Sequence, residues 1–223
     1  MESRLHPVYH YRIMPTHRIM RVPVFALVLA AALTILPPGA AADTPSEYAT
    51  LLASLKAGNT NIDYARLRFS YMDSPEYKQA KDTTDSENAM LDALNAKDYP
   101  SALKSAEEVL ASEYVNIDAH FVAYLASKQM GAADKAEFHH AVFKGLVDSI
   151  LNSGDGLSPK TAWVVISVHE EYFILHVLGM RPSSQSVLQS DGHSYDKMTV
   201  KDENGVEHIF YFNVDIPFKH YGF

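Results

Sequence analysis

The chain has 223 residues, a formal net charge of −8 and a hydrophobic share of 47 %; this is enough apolar material for a packed core and too much for wholesale disorder. It has no cysteine, which excludes disulfides, thiolate metal sites, a cysteine nucleophile and a cysteine-borne lipid anchor. So acidic a chain is a poor match for phosphate backbones or anionic lipid, and no nucleic-acid partner is expected.

Residues 1–42 read as a secretory signal peptide. Arg18 and Arg21 precede an apolar run from Val22 to Leu36 that contains Pro23. Pro37-Pro38-Gly39 breaks the run, and Ala40-Ala41-Ala42 offers the small residues a signal peptidase reads. The run is about 15 residues, short of the roughly 20 that a membrane span needs. Cleavage is therefore expected after Ala42, leaving no stable membrane anchor, with Met14 and Met20 as alternative starts. There is no Arg-Arg pair, which points to the general secretory route. The leader holds four of the 19 Lys+Arg and one of the 27 Asp+Glu, so the mature chain would carry 15 basic and 26 acidic residues, a net −11. A secreted, periplasmic location is expected for 43–223.

Residues 43–151 carry helical periodicity. Thr44-Pro45 fits an N-cap and first position, and Tyr48, Leu51, Leu52 and Leu55 follow on one face, ended by Gly58. Asp63 opens a second helix with Tyr64, Leu67 and Tyr71 inward, which Ser74-Pro75 should stop. Tyr77–Asp85 is polar and reads as an exposed loop. Asp85 then caps a helix with Met90, Ala93 and Leu94; Ala102, Leu103, Ala106 and Leu110 line the next. Asn116 starts another with Ala119, Val122, Ala123 and Ala126, and after Gly131 a long helix carries Ala136, Phe143, Val147 and Ile150.

Ala102 and Ala136 each follow a helix-pair turn, 34 positions apart, the period of a tetratricopeptide repeat. A small residue there lets the second helix of a pair lie close against the first. The region Asp85–Leu151 resembles tetratricopeptide repeats: one good unit, and one degenerate unit with Met90, Leu94 and Asn95 in place of the bulky aromatic and glycine. Such arrays offer a peptide groove; with so few units, a helical scaffold covering a sheet is the favoured reading.

Residues 152–223 read as strands. Ser153-Gly154-Asp155-Gly156 is a flexible loop. Thr161–Val168, apolar without alternation, suits a strand buried on both faces, with Trp163 wedging the two halves together. Ser167 or His169 caps a short helix that has Glu170 and Glu171 in its first turn and ends at Gly179. Strands Gln185–Ser190, His193–Asp202 and Val206–Val214 follow, separated by the hairpin signals Asp191-Gly192 and Asn204-Gly205. The fold class is α+β: tetratricopeptide-like antiparallel helix pairs, then a small antiparallel sheet of about four strands with one short helix, packed as a single domain.

Four constellations could carry chemistry. His193 and Asp196, with Glu170, Glu171 or Asp215, could bind a metal or do acid–base work, or merely satisfy hairpin backbone groups. Gly154-Asp155-Gly156 could cradle an ion, but lacks the spacing of a calcium loop and the lysine of a phosphate loop; a tight connection is favoured. His139-His140 sit about 100° apart on a helix and do not easily share an ion. The end Phe210–Phe218, with Asp215, could be a sugar or partner platform, as could Tyr195; aromatics in a strand more often belong to the core. Gly-x-Ser-x-Gly and His-Glu-x-x-His are both absent, so neither metal nor cofactor is expected.

Lys56–Tyr64, Ser153–Tyr172, Gly192–Asp196 and Tyr211–Asp215 together resemble an uncharacterised bacterial secreted family, domain of unknown function 4919. The resemblance implies a secreted helix-then-sheet domain; it implies no activity, substrate or catalytic residue. The expected function is non-enzymatic binding of another envelope protein or peptide. The alternative is a hydrolase or small-ligand enzyme using His193 and Asp196 with Glu170 or Glu171.

Overall fold

The structure is a computed structural model that describes residues 45–221; the expected leader, 1–42, lies outside the described residues. Seven helices come first: α1 (Glu47–Lys56), α2 (Tyr64–Asp73), α3 (Pro75–Gln79), α4 (Thr84–Asn95), α5 (Tyr99–Ser112), α6 (Ile117–Gln129) and α7 (Ala133–Leu151). A 3₁₀ turn, Pro159–Thr161, leads to β1 (Trp163–Val164), α8 (Val168–Val177), β2 (Arg181–Ser190), β3 (His193–Lys201), β4 (Glu207–Asn213) and α9 (Asp215–Tyr221). The architecture is α+β. Residues from Pro45 onward form one compact unit. Among the described residues no helix is long and apolar enough to cross a membrane.

Most helices start where a short polar side chain takes up a free backbone N–H. Ser46 accepts from Ala49, Asp63 from Arg66, Ser74 from Tyr77, Asp98 from Ser101 and Asn116 from Ala119. Two expectations need correction here. Pro75 does not simply stop the chain; with Ser74 as cap it occupies the first turn of α3, where its missing N–H costs nothing. The stretch Tyr77–Asp85 is therefore partly helical, and α4 begins at Thr84, one residue before the expected cap Asp85.

Helices α4 to α7 pack each on the next. Met90, Ala102, Ala106, Val109, Ala119 and Ala123 form a small-residue core between α4, α5 and α6; alanines permit the close approach. A second core joins α1, α2, α7 and α8 to one face of the sheet, through Leu55, Leu67, Leu146, Ile174, Met198 and Phe212. Gly145 lies in mid-helix because Tyr64 lies against it: a Cβ there would fall 2.2 Å from the Tyr64 ring.

The sheet order is β1-β4-β3-β2. The two long pairings are antiparallel, while β1 runs parallel to β4, so the sheet is mixed rather than wholly antiparallel. The hairpin at Asp191-Gly192 has both residues at positive φ, 52° and 82°, as a two-residue primed turn requires. The Asn204-Gly205 turn is longer, closed by a hydrogen bond from Asp202 N to Val206 O of 3.0 Å.

The expected strand Thr161–Val168 is cut to Trp163 and Val164. The Ile166 N–H, which a longer strand would spend on its neighbour, instead donates to Glu170 Oε2 at 2.8 Å, and Ser167 caps α8. Trp163 lies against Phe210 and Phe212, with ring centroids 5.0 and 5.4 Å away, and donates from Nε1 to Gly154 O at 3.1 Å. A Cβ on Gly156 would sit 2.7 Å from the indole, and one on Gly154 would sit 2.2 Å from the Thr161 carbonyl. The two glycines are thus tied to the seating of the tryptophan.

Candidate functional site

Helix α8 enters between the helices and the sheet with two consecutive carboxyls, and they meet different fates. Glu170 turns toward α2. Arg68 is completely buried and grips it with both arms, Nε to Oε1 at 2.7 Å and Nη2 to Oε2 at 2.5 Å. The guanidinium also donates from Nη1 to Ser149 Oγ at 3.1 Å and from Nη2 to the Val164 carbonyl at 3.0 Å. One side chain of α2 thereby ties together α7, β1 and α8. The planar fork of arginine suits such a bidentate pair. No sequence motif marks Arg68; the only signal is a charged residue next to Leu67 on an otherwise apolar helix face.

Beside this pair a small cleft of about 10 Å³ opens to solvent, lined by Glu113, Asn116, Asp118, Ser167, His169 and Glu170. Glu87 stands behind it, accepting from Thr83 Oγ1 at 3.0 Å and Asn116 Nδ2 at 3.2 Å. Partial enclosure, reinforced by the nearby Glu87 carboxylate, pushes Glu113 up to about 7. Burial and Glu87 likewise push Asp118 up to about 7. The acids come from the starts of α4, α6 and α8 and from the loop before α6. Near a helix start a carboxylate meets the positive end of the helix dipole, so Glu87, Asp118 and Glu170 are locally sensible, while Glu113, at the C-cap of α5, has no such support and the group repels itself.

Glu171 points the other way, toward β3, and is fully buried. No donor among the described residues reaches either of its oxygens. Burial, then the neighbouring Asp196 carboxylate, hold its pKa well above the usual range, which favours its protonated form beside Asp196. Asp196 is raised too, by burial, although Gln185 and Glu171 act against this. Gln185 Nε2 donates to Asp196 Oδ2 at 2.5 Å, and Tyr172 Oη donates to Gln185 Oε1 at 3.1 Å. These bonds link α8, through the exposed Gln185 of β2, to the buried Asp196 of β3.

The four residues proposed to converge therefore do not. Glu171 and Asp196 meet; Glu170 belongs to Arg68; and His193 lies on the opposite face of β3 from Asp196, because side chains three apart on a strand project to opposite sides. His193 instead bonds Asp215, Nδ1 to Oδ2 at 2.6 Å, and is exposed. Asp215 also accepts from Ser194 N at 2.7 Å and Asn213 Nδ2 at 3.2 Å. Burial pushes Asp215 up, but these donors outweigh it and its pKa falls below the ordinary value. It opens α9, a helix not foreseen in the aromatic end Phe210–Phe218. Tyr195 is buried, its ring 6.3 Å from that of His193, and offers no open platform. Asp155 accepts from Leu157 N at 2.9 Å and Thr161 Oγ1 at 2.5 Å, closing its own loop.

His139 is buried and His140 exposed. The partner of His139 is His120 on α6, Nδ1 to Nδ1 at 3.0 Å. His120 Nε2 must donate to the Tyr114 carbonyl, 3.0 Å away, which leaves its Nδ1 as acceptor and makes His139 Nδ1 the donor. Burial, with each ring's basic neighbour, holds them down at about 3 and about 4. Both are neutral packing residues. Their pairing was not visible in the sequence, since 19 positions separate them. Among the described residues no group of three or more acids and histidines could hold a metal ion.

An α+β unit with an acid-lined cleft at the meeting of helices and sheet is the class that fold and site define. The chain belongs to the family described as domain of unknown function (DUF4919), whose model matches residues 40–222. No curated protein matches it, and no solved structure does.

Proposed function

We propose that this protein is a non-enzymatic binding scaffold of the cell envelope, exported by its leader, that takes a cationic side chain of a partner protein or peptide into the cleft between Glu113, Asp118 and Glu170. The observation that supports this is the pair Glu113 and Asp118, both raised to about 7 in one small opening. Carboxyls whose charge is suppressed by burial and by the Glu87 carboxylate gain most from a fixed external cation. At about 10 Å³ the opening is far smaller than the roughly 300–1,000 Å³ of drug-sized ligand sites and suits a single ammonium head. The helix pairs α4–α5 and α6–α7, which resemble tetratricopeptide repeats, form the frame. The enzymatic alternative needs His193 and Asp196 on one side of β3, and they stand on opposite sides.

Calorimetric titration with a short lysine- or arginine-bearing peptide tests the proposal. Affinity should rise between pH 6 and 8, with proton release on binding, and should weaken in the E113Q/D118N variant. Binding that is absent, independent of pH or indifferent to the variant overturns it. Binding of free polyamine alone would replace the protein partner by a small molecule.

A further inference from the structure

The outermost strand, β2, is a sheet edge of 10 residues with exposed side chains along nearly its whole length. Its neighbour shows which backbone groups are spent. Ser194 O accepts from Val214 N at 2.9 Å, so Ser194 and the alternate residues after it turn their backbone groups toward β4. The residues between them, His193, Tyr195 and Lys197, turn theirs toward β2, and their partners Ser190, Leu188 and Ser186 are satisfied. Gln189, Val187 and Gln185 then point their N–H and C=O groups away from the sheet, into solvent.

Natural edges are usually blunted by charge, proline or a bulge. Here Pro182 and the register shift between Pro182 and Ser184 blunt only the start of the strand. From Ser183 to Ser190 it carries no charged side chain, in a chain whose net charge is −8. Val187 is 58 % exposed although it shares a face with the buried Asp196 and Met198.

We infer that this edge is the contact between two copies of the chain, paired antiparallel about a two-fold axis at Val187. In that register Val187 faces Val187, and Gln185 faces Gln189 of the second copy. All three carry outward backbone groups on both copies, so the ladder closes without a mismatch. The axis keeps the core-side face continuous across the join, as a two-fold contact requires. The charges at the two ends also match. Asp191 of one copy, in the turn just past its β2, falls at the end where the second copy begins with Arg181, and symmetry repeats the pair. A strand with uniform charge would forbid this arrangement; β2 carries Arg181 at its start, and Asp191, of opposite sign, directly follows its end. The two sheets join into one that runs through both copies. This surface is separate from the acidic cleft and does not depend on how the cleft is used.

Sedimentation over a concentration series should show a monomer–dimer equilibrium in the mature chain. Val187→Pro removes an N–H that makes no bond to β3, so the variant should fold, as judged by circular dichroism and Trp163 emission, and remain monomeric; Val187→Lys, which opposes two like charges, should do the same. Since the chain has no cysteine, Val187→Cys gives a clean probe: paired residues of this kind have Cα atoms about 5.5 Å apart, within disulfide range. The variant should oxidise to a dimer at least tenfold faster than Ser186→Cys, whose residue faces Leu188. A parent chain that stays monomeric at about 1 mM, a dimer that survives V187P and V187K, or equal oxidation of V187C and S186C overturns the inference. A monomer that instead captures an extended peptide, with loss in V187P, assigns the edge to another occupant and overturns it equally.

Discussion

Replacing Arg68 by methionine is the sharpest probe of how the halves are joined. The guanidinium is 0 % exposed and makes four hydrogen bonds to three elements. Methionine fills part of its volume but leaves Glu170 ionised, buried and held by the Ile166 N–H alone. Removing one partner of a buried pair costs about 3–5 kcal/mol, and in a chain of this size that lowers Tm by about 6–20 °C. Urea unfolding followed by the emission of Trp163, the single tryptophan, measures the loss. Glu170→Gln strands the arginine and should cost a similar amount. The double variant R68M/E170Q carries no buried charge and should recover at least about 2 kcal/mol relative to the sum of the singles. A loss below about 1 kcal/mol for R68M, or additive singles, would show that the pair is hydrated and does not join the halves.

Gly145→Ala should reverse the usual rule. In an open helix alanine is favoured over glycine by about 1 kcal/mol; here its Cβ meets Tyr64 at 2.2 Å, and overpacking should cost about 1–3 kcal/mol in thermal unfolding. A raised Tm would mean that Tyr64 swings aside freely. Trp163→Ala should cost about 3–5 kcal/mol, and Gly156→Ala should destabilise through both its φ of +70° and its contact with the indole; a neutral result for either removes the tryptophan from the core. Glu113 and Asp118 hold protons in the folded state, up to about 7, that the unfolded chain has already released. Their charging therefore weakens the fold as pH rises from about 4 to about 7. The E113Q/D118N variant should match the parent near pH 4 and become progressively more stable than it toward pH 8, by unfolding titrations at each pH. His120 and His139 act with the opposite sign: their folded values near 3 and 4 lie below the unfolded one, so they favour the fold as pH rises through 4 to 6.5. An H120F/H139F variant should lose that part of the slope; an unchanged slope would mean that neither ring is dry.

Several helices were legible because they are announced twice, by a polar cap and by an apolar face; Asp63 and Asn116 cap where expected. The alternation in β4 likewise placed Phe210 and Phe212 inward. What failed was whatever depended on a distant partner. Thr161–Val168 has the composition of a strand, yet a carboxylate four residues on takes the Ile166 N–H. Asp215 looked like the end of a strand, yet it opens α9 and receives His193 and Ser194 from the neighbouring hairpin. Of the proposed acid–base group, Glu171 meets Asp196 on the face turned toward α8 and His193 meets Asp215 away from it, but the two pairs do not join. Arg68 gave no local hint at all.

Arg68 and Glu170 are 102 positions apart, and this separation dictates an order of events. When synthesis has delivered α1 to α7, most of the helical core is present but its arginine has nothing to pair with. Closing that core early would bury a bare cation, so the helices must stay loosely associated until α8 arrives. A chain truncated after Leu151 is expected to remain open and protease-sensitive, with the secondary structure of helices but without their fixed packing. The ion pair is thus expected to act in time as well as in space, delaying completion of the first half until the second has been made.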